Sequence, residues 1–128
     1  MKTYHETNHE NGVSRQMLGK LGENLAAGLL TEEGYEILMR NYRCRYGEID
    51  LIACRDGILA FVEVKTRQNS RFGEPAEAVT AEKQKKIRRT AACYLSEAGH
   101  SCRGMEFQVV EISVRHLKGL TFQEVGIC

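Results

Sequence analysis

Leu18, Leu21, Leu25 and Leu29 recur at helical spacing, so the pattern predicts a helix over residues 16–33 with those leucines as its core stripe. Gly19, Ala26 and Leu30 make a second, small-residue face that also carries Glu23, and Gly34 is placed to cap the C-terminus. Beyond Gly34 the helical period is lost. Tyr35–Arg40, Tyr46–Cys54 and Ile58–Thr66 read as strands, with Asp56-Gly57 a hairpin turn signal between the last two. Ile58–Thr66 is nearly all apolar before its Glu63 and Lys65, as a central strand should be. A polar loop over residues 67–79 holds Gly73 and the single proline, Pro75. Helical period returns over Thr80–Ala98, with Gln84, Ile87, Ala91, Tyr94, Leu95 and Ala98 inward and Gly99 closing the helix. Phe107–Val114 is a fourth strand.

A strand, a helix and a strand in succession over residues 58–114 imply a crossover and a parallel pair. The predicted order is α-β-β-β-α-β: an α/β fold in which helices flank a central mixed sheet with one antiparallel hairpin. Residues 1–15 contain hardly any core residues and read as a disordered arm, in which nothing positions His5 or His9 on a metal. Residues 16–128 read as one domain. The tail over 115–128, with Leu117, Leu120, Phe122, Val125 and Ile127, reads as loop plus room for one short strand.

Composition narrows the function classes. A content of 42% hydrophobic and 27% charged residues is ordinary for a globular chain. No apolar run approaches the roughly 20 residues that cross a bilayer. The polar start, Met1 to Gln16, has no signal-peptide core, so the expectation is a cytoplasmic protein without membrane contact. The net charge of +1 leaves nucleic acid open as a partner without marking a strongly basic binding module. The 5 cysteines are scattered and none forms a Cys-x-x-Cys pair, which argues against structural zinc and for free thiols in a reducing compartment.

The chemistry concentrates in two apolar segments that contain acids: Gly47-Glu48-Ile49-Asp50-Leu51-Ile52-Ala53, and Glu63-Val64-Lys65 on the following strand. A carboxylate in such a place is costly without a partner, and a divalent cation is one. Alternation points Glu63 and Lys65 to the same face. Across the hairpin, Asp50 and Glu63 are expected to oppose one another, and two adjacent carboxylates repel unless a proton or a cation intervenes. A hard oxygen site of this kind suits Mg2+ or Mn2+, which would activate water and offset charge in phosphodiester cleavage. Lys65 would orient the attacking water and stabilise the developing charge.

Several stretches together resemble the YraN family of bacterial proteins. They are Gly22-Glu23, Gly34-Tyr35, Asn41-Tyr42-Arg43, the two acid-bearing segments extended to Phe61–Arg67, Phe72-Gly73, and Ala92 with Tyr94-Leu95. That family is similar to Holliday-junction resolvases and to the restriction endonuclease-like superfamily with its PD-(D/E)xK site. The resemblance implies a restriction endonuclease-like fold and a Mg2+- or Mn2+-dependent nuclease acting on DNA, in branched or single-stranded form. It implies that Asp50, Glu63 and Lys65 occupy the signature positions, Asp50 and Glu63 as metal ligands, and that Glu23 is the helix-borne catalytic acid. Two positions depart from the pattern. Ile49 stands where the superfamily signature has proline, and Gln108 stands where many family members have an aspartate, so this position supplies no anionic ligand.

Further residues fit a nucleic-acid partner. Lys83, Lys85, Lys86, Arg88 and Arg89 crowd one helix segment, with Lys85, Lys86 and Arg89 opposite the apolar stripe and suited to phosphates. Arg43 and Arg67 extend this basic set, with Arg40, Arg45 and Arg71 beside them. Gln84, early in the crossover helix, is placed to support the site, and Tyr42, Tyr46 and Phe72 are candidates for stacking on an unpaired base. Three readings follow: a metal-dependent DNA nuclease, a non-catalytic nucleic-acid-binding module with a vestigial site, or a protein-interaction domain. A homodimer follows only from the resolvase analogy, because a junction needs two sites.

Overall fold

The computed structural model describes residues 14–68, 80–99, 101–114 and 125–127. Its first element, α1 (Arg15–Glu32), starts where the Ser14 side chain accepts a hydrogen bond from the Met17 amide at 3.0 Å. Ser14 and Arg15 therefore belong to the helix start rather than to a disordered arm; residues 1–13 lie outside the described residues. Three strands follow, β1 (Glu36–Cys44), β2 (Gly47–Arg55) and β3 (Ile58–Gln68), then α2 (Ala81–Ala98), β4 (Gly104–Val114) and the short β5 (Val125–Ile127).

The sheet has the order β1-β2-β3-β4-β5. β1/β2, β2/β3 and β4/β5 are antiparallel, and β3/β4, joined through α2, is parallel. This is the expected α-β-β-β-α-β order with a mixed sheet between helices. The first two strands form a second hairpin, since β1 runs on to Cys44 rather than stopping at Arg40. The β2–β3 turn is the one Asp-Gly signals: Asp56 and Gly57 both take left-handed φ values, 54° and 80°.

A helix covers each face. On one side Leu18, Ala26, Ala27 and Leu30 of α1 pack with Leu51, Ala53, Ala60, Val62, Val110 and Ile112. On the other, Ala91 and Tyr94 of α2 pack with Tyr42, Ile49, Ile52, Leu59 and Phe61. The buried line of α1 shares only Leu18 with the leucine stripe, with Leu25 half-buried against the same core. It is Leu18, Gly22, Ala26, Ala27 and Leu30, while Leu21 is exposed. The reason is close approach at the middle of the line: a side chain on Gly22 would overlap Thr66 of β3, so the helix must turn a glycine to the sheet there.

The phase of α2 also differs from the expected one. Gln84 and Ala98 are exposed, and the line facing the sheet is Lys83, Ile87, Thr90, Ala91 and Tyr94. The inward positions of α2 include Lys83, which pairs with Glu63, and Thr90, whose hydroxyl donates to the Lys86 carbonyl, and an apolar pattern detects neither. Among the described residues no helix is long and apolar enough to cross a membrane. Cys44, Cys54, Cys93 and Cys102 are free.

Candidate active site at the fork between two strands

The regular pairing of β2 with β3 ends at Leu51↔Val62. At the next position the Asp50 carboxylate takes over from the backbone: its Oδ2 accepts the Val64 amide at 2.7 Å. Both hairpin strands roll over at this level. Leu51 faces α1 and Ile49 faces α2, although residues two apart in a regular strand share a face. On β1, Arg40 bonds Asn24 of α1, whereas Tyr42 packs on the α2 side. The residue opposite Asp50, flanked by the pairs Arg40↔Leu51 and Tyr42↔Ile49, is Asn41, which adopts φ 52°. Asparagine is among the few residues that tolerate that conformation.

Asp50 consequently lines clefts on both sides of the sheet. On the α1 side a cleft of about 490 Å³ is bounded by Arg15, Leu18, Glu23, Val64 and Thr66 as well as Asp50. On the α2 side a narrower one of about 220 Å³ is bounded by Asp50, Glu63, Lys83, Lys86, Thr90 and Phe107, among others. Burial pushes the Asp50 carboxyl above its ordinary range; the Val64 amide opposes this, and the charges of Glu23, Glu63 and Glu48 add to it. Asp50 is therefore where the charges of three other carboxylates converge.

The other expected site residues take different positions around it. Glu63 is half-buried on the α2 side, with its Oε2 3.6 Å from Lys83 Nζ. Lys65 is half-buried two residues further along β3, at the register position of Glu111. Glu23 reaches toward Asp50 from α1 and accepts a hydrogen bond from Asn41 Nδ2 at 3.4 Å. Glu48 forms an exposed cross-strand pair with Arg43 at 3.0 Å. Gln108 is remote from this group: it donates to Tyr35 Oη and Glu106 Oε2, on the α1 side of β4.

The basic residues divide. Lys86 borders the α2-side cleft rather than lying opposite the inward stripe, and Lys83 is beside it. Lys85 is exposed and lines neither cleft. Arg89 and Arg45 approach the Tyr46 ring, at 5.8 and 4.9 Å from its centre. Arg67 is half-buried and bonded to Glu111 at 2.9 Å. Of the aromatic candidates, Tyr42 is buried and donates to Glu97 at 2.8 Å, so its ring is not available to a base. Phe72 and Arg71 lie outside the described residues.

Sequence reasoning missed Asn41, Lys83 and Phe107 as neighbours of the acids. Asn41 gave no signal, because the strand read from the sequence stops at Arg40 and the asparagine falls just beyond it. Lys83 is brought in by the phase of α2, and Phe107 by the register of β4 on β3, neither of which a local pattern contains.

The mixed α/β fold, with acids converging at a strand fork, has relatives. The model of the uncharacterised protein family UPF0102 matches residues 22–112. A UPF0102 protein of Rhodococcus jostii is 52% identical over 99 residues, covering 77% of this chain and 84% of the relative. One from Symbiobacterium thermophilum is 52% identical over 100 residues, covering 78% and 84%. One from Caldanaerobacter subterraneus is 40% identical over 114 residues, covering 89% and 93%. The chain belongs to the UPF0102 family, the YraN family of the sequence resemblance. Among solved structures, Pyrococcus furiosus SfsA in complex with Ca2+ is similar at a TM-score of 0.45 and 16% identity. That match covers 91% of this chain and 64% of SfsA, so this chain spans less than two thirds of that protein.

Proposed function

We propose that the protein is a metal-dependent nuclease that hydrolyses DNA phosphodiesters, with its site at the fork between β2 and β3. The observation that carries this reading is Asp50: a half-buried carboxylate held by the Val64 amide and facing the charges of Glu23, Glu63 and Glu48. Such a concentration of negative charge is relieved by a cation. Among the described residues no three His, Cys, Asp or Glu side chains form a ready-made metal cage. Mg2+ does not need one, because it is commonly held by one or two carboxylates and keeps its waters. Asp50 and Glu63 would hold it. The ion would activate water and stabilise charge on the phosphate in the transition state.

The chain's own groups supply the rest. Lys83 and Lys86 border the cleft beside Glu63 and would draw a phosphate into it. Lys65 shares the Glu63 face of its strand and would orient the attacking water. Glu23, held by Asn41, acts as a positioning residue on the opposite side of Asp50. A second reading, a nucleic-acid-binding module without catalysis, is favoured by one contact: Glu63 already has a cationic partner in Lys83.

The test is cleavage of linear, flapped and four-way-junction DNA by the purified protein in Mg2+, Mn2+ or EDTA. Metal-dependent cleavage by wild type, absent in Asp50→Asn and Glu63→Gln, is expected. DNA binding without cleavage in either metal would leave the binding module as the function.

A further inference from the structure

Strand β4 carries an apolar row that no described element covers. Met105, Phe107 and Val109 alternate along it and are 55%, 37% and 38% exposed. Their face is set by the buried Val110 and Ile112, which point to α1, so the row points to the α2 side. There α2 packs on β1 and β2. The row runs into the site: Phe107 lines the same cleft as Asp50, Glu63, Lys83 and Lys86.

The cleft thus brings together an aromatic ring from β4, two lysines from α2 and the carboxylates of Glu48, Asp50 and Glu63. An apolar peptide or the apolar face of a second copy would cover the ring and leave Lys86 unanswered, Lys83 being paired with Glu63. A DNA duplex would satisfy the lysines but keeps its bases stacked inside, away from Phe107. An unpaired nucleotide satisfies both, with its phosphate on the lysines and the face of its base on the ring. We infer that the row led by Phe107 is a binding surface for an unpaired DNA strand, with Phe107 stacking on the base next to the phosphate held by Lys83 and Lys86.

This names the substrate class of the site proposed above and rests on that reading for cleavage, although strand binding is measured without it. It also replaces the tyrosines as base contacts: Tyr42 is buried, and the Tyr46 ring lies against Arg45 and Arg89.

The experiment uses the full chain in EDTA with a fluorescent oligothymidylate, an abasic strand of the same length, and a blunt duplex. Loss of base stacking weakens binding by roughly five- to a hundredfold. Phe107→Leu, which keeps an apolar side chain, is expected to lose that much affinity for oligothymidylate and none for the abasic strand or the duplex. Phe107→Tyr, which keeps the ring, is expected to bind as wild type does. Wild-type binding of oligothymidylate that is undetectable, or unchanged in Phe107→Leu, overturns the inference. So does equal weakening on all three probes, which is a merely structural effect. Cleavage in Mn2+ separates this from the nuclease reading. Asp50-dependent cleavage with no Phe107 effect on binding retains the nuclease and discards the groove. A ring-dependent preference for the unpaired strand without cleavage supports the groove and discards the nuclease.

Discussion

Helix α1 contains three glycines that respond differently to the same methyl group. A Cβ on Gly19 or Gly28 meets nothing within 4 Å, whereas one on Gly22 overlaps Thr66 Oγ1 and comes within 3.0 Å of the Thr66 Cβ. Replacing an exposed helical glycine by alanine stabilises by about 0.8–1.0 kcal/mol, and Gly19→Ala and Gly28→Ala should realise that gain. Gly22→Ala gains the same propensity but overpacks the α1–β3 contact, which costs about 1–3 kcal/mol. The gap between Gly22→Ala and the other two variants is then about 1–3 kcal/mol. At about 4 °C per kcal/mol for a domain of this size, that is roughly 4–12 °C in Tm. Thr66→Ala removes the hydroxyl and the methyl from the clash and leaves only the 3.0 Å Cβ contact, so the double variant Gly22→Ala/Thr66→Ala should recover part of the gap. Thermal unfolding by circular dichroism reads all of these. A Gly22→Ala protein that melts with Gly19→Ala would show that α1 does not lie as close to β3 as described. The displacement should also reach the site, because the helix that moves carries Glu23.

Asp50 has a raised carboxyl in the folded chain, so the folded state binds the extra proton and stability falls as pH rises from the ordinary value of 3.8 through the folded one. Asp50→Asn removes that cost and retains an acceptor for the Val64 amide; its Tm should exceed wild type at neutral pH and converge with it near pH 4, and a constant difference across that range would refute the linkage. Lys65→Ala should abolish cleavage in Mn2+ with DNA binding largely intact, since one lost phosphate contact changes the slope of log K against log salt by at most about 0.9; undiminished cleavage removes the lysine from the mechanism. Lys85, Lys86 and Arg89 reversed together to glutamate should weaken linear and branched DNA alike, with a flatter salt dependence; wild-type affinity would place the binding surface elsewhere. Tyr42→Phe loses the bond to Glu97 and should cost about 1 kcal/mol in urea unfolding; an unchanged midpoint would mean that bond contributes nothing.

Much of the fold was legible because its signals are local. Asp56-Gly57 specifies its turn, and a helix between two apolar strands specifies the parallel pair. The misreadings have one physical source. On α1 the pattern points to the largest apolar residues, but the distance to Thr66 decides which face is buried, and that distance is a property of the packed pair. On α2 the inward positions near the site include Lys83, which pairs with Glu63, and Thr90, whose hydroxyl donates to the Lys86 carbonyl, so the phase read from apolar spacing falls one position off at Gln84. The acids were legible because they interrupt apolar strands. Their arrangement was not, because it depends on two strands rolling over together at Asn41 and Asp50, and regular alternation is the assumption that a sequence pattern rests on.

The bond from the Val64 amide to Asp50 has a consequence for measurement. One backbone proton senses the ionisation of the central carboxylate directly, at 2.7 Å. A single amide resonance would follow protonation of Asp50, the arrival of a cation or the approach of a phosphate, each as a shift at one assigned peak. Its rate of exchange with solvent would rise when the carboxylate lets go. The site thus carries its own label, and occupancy can be followed at Val64 in the unmodified protein before any cleavage assay has a substrate.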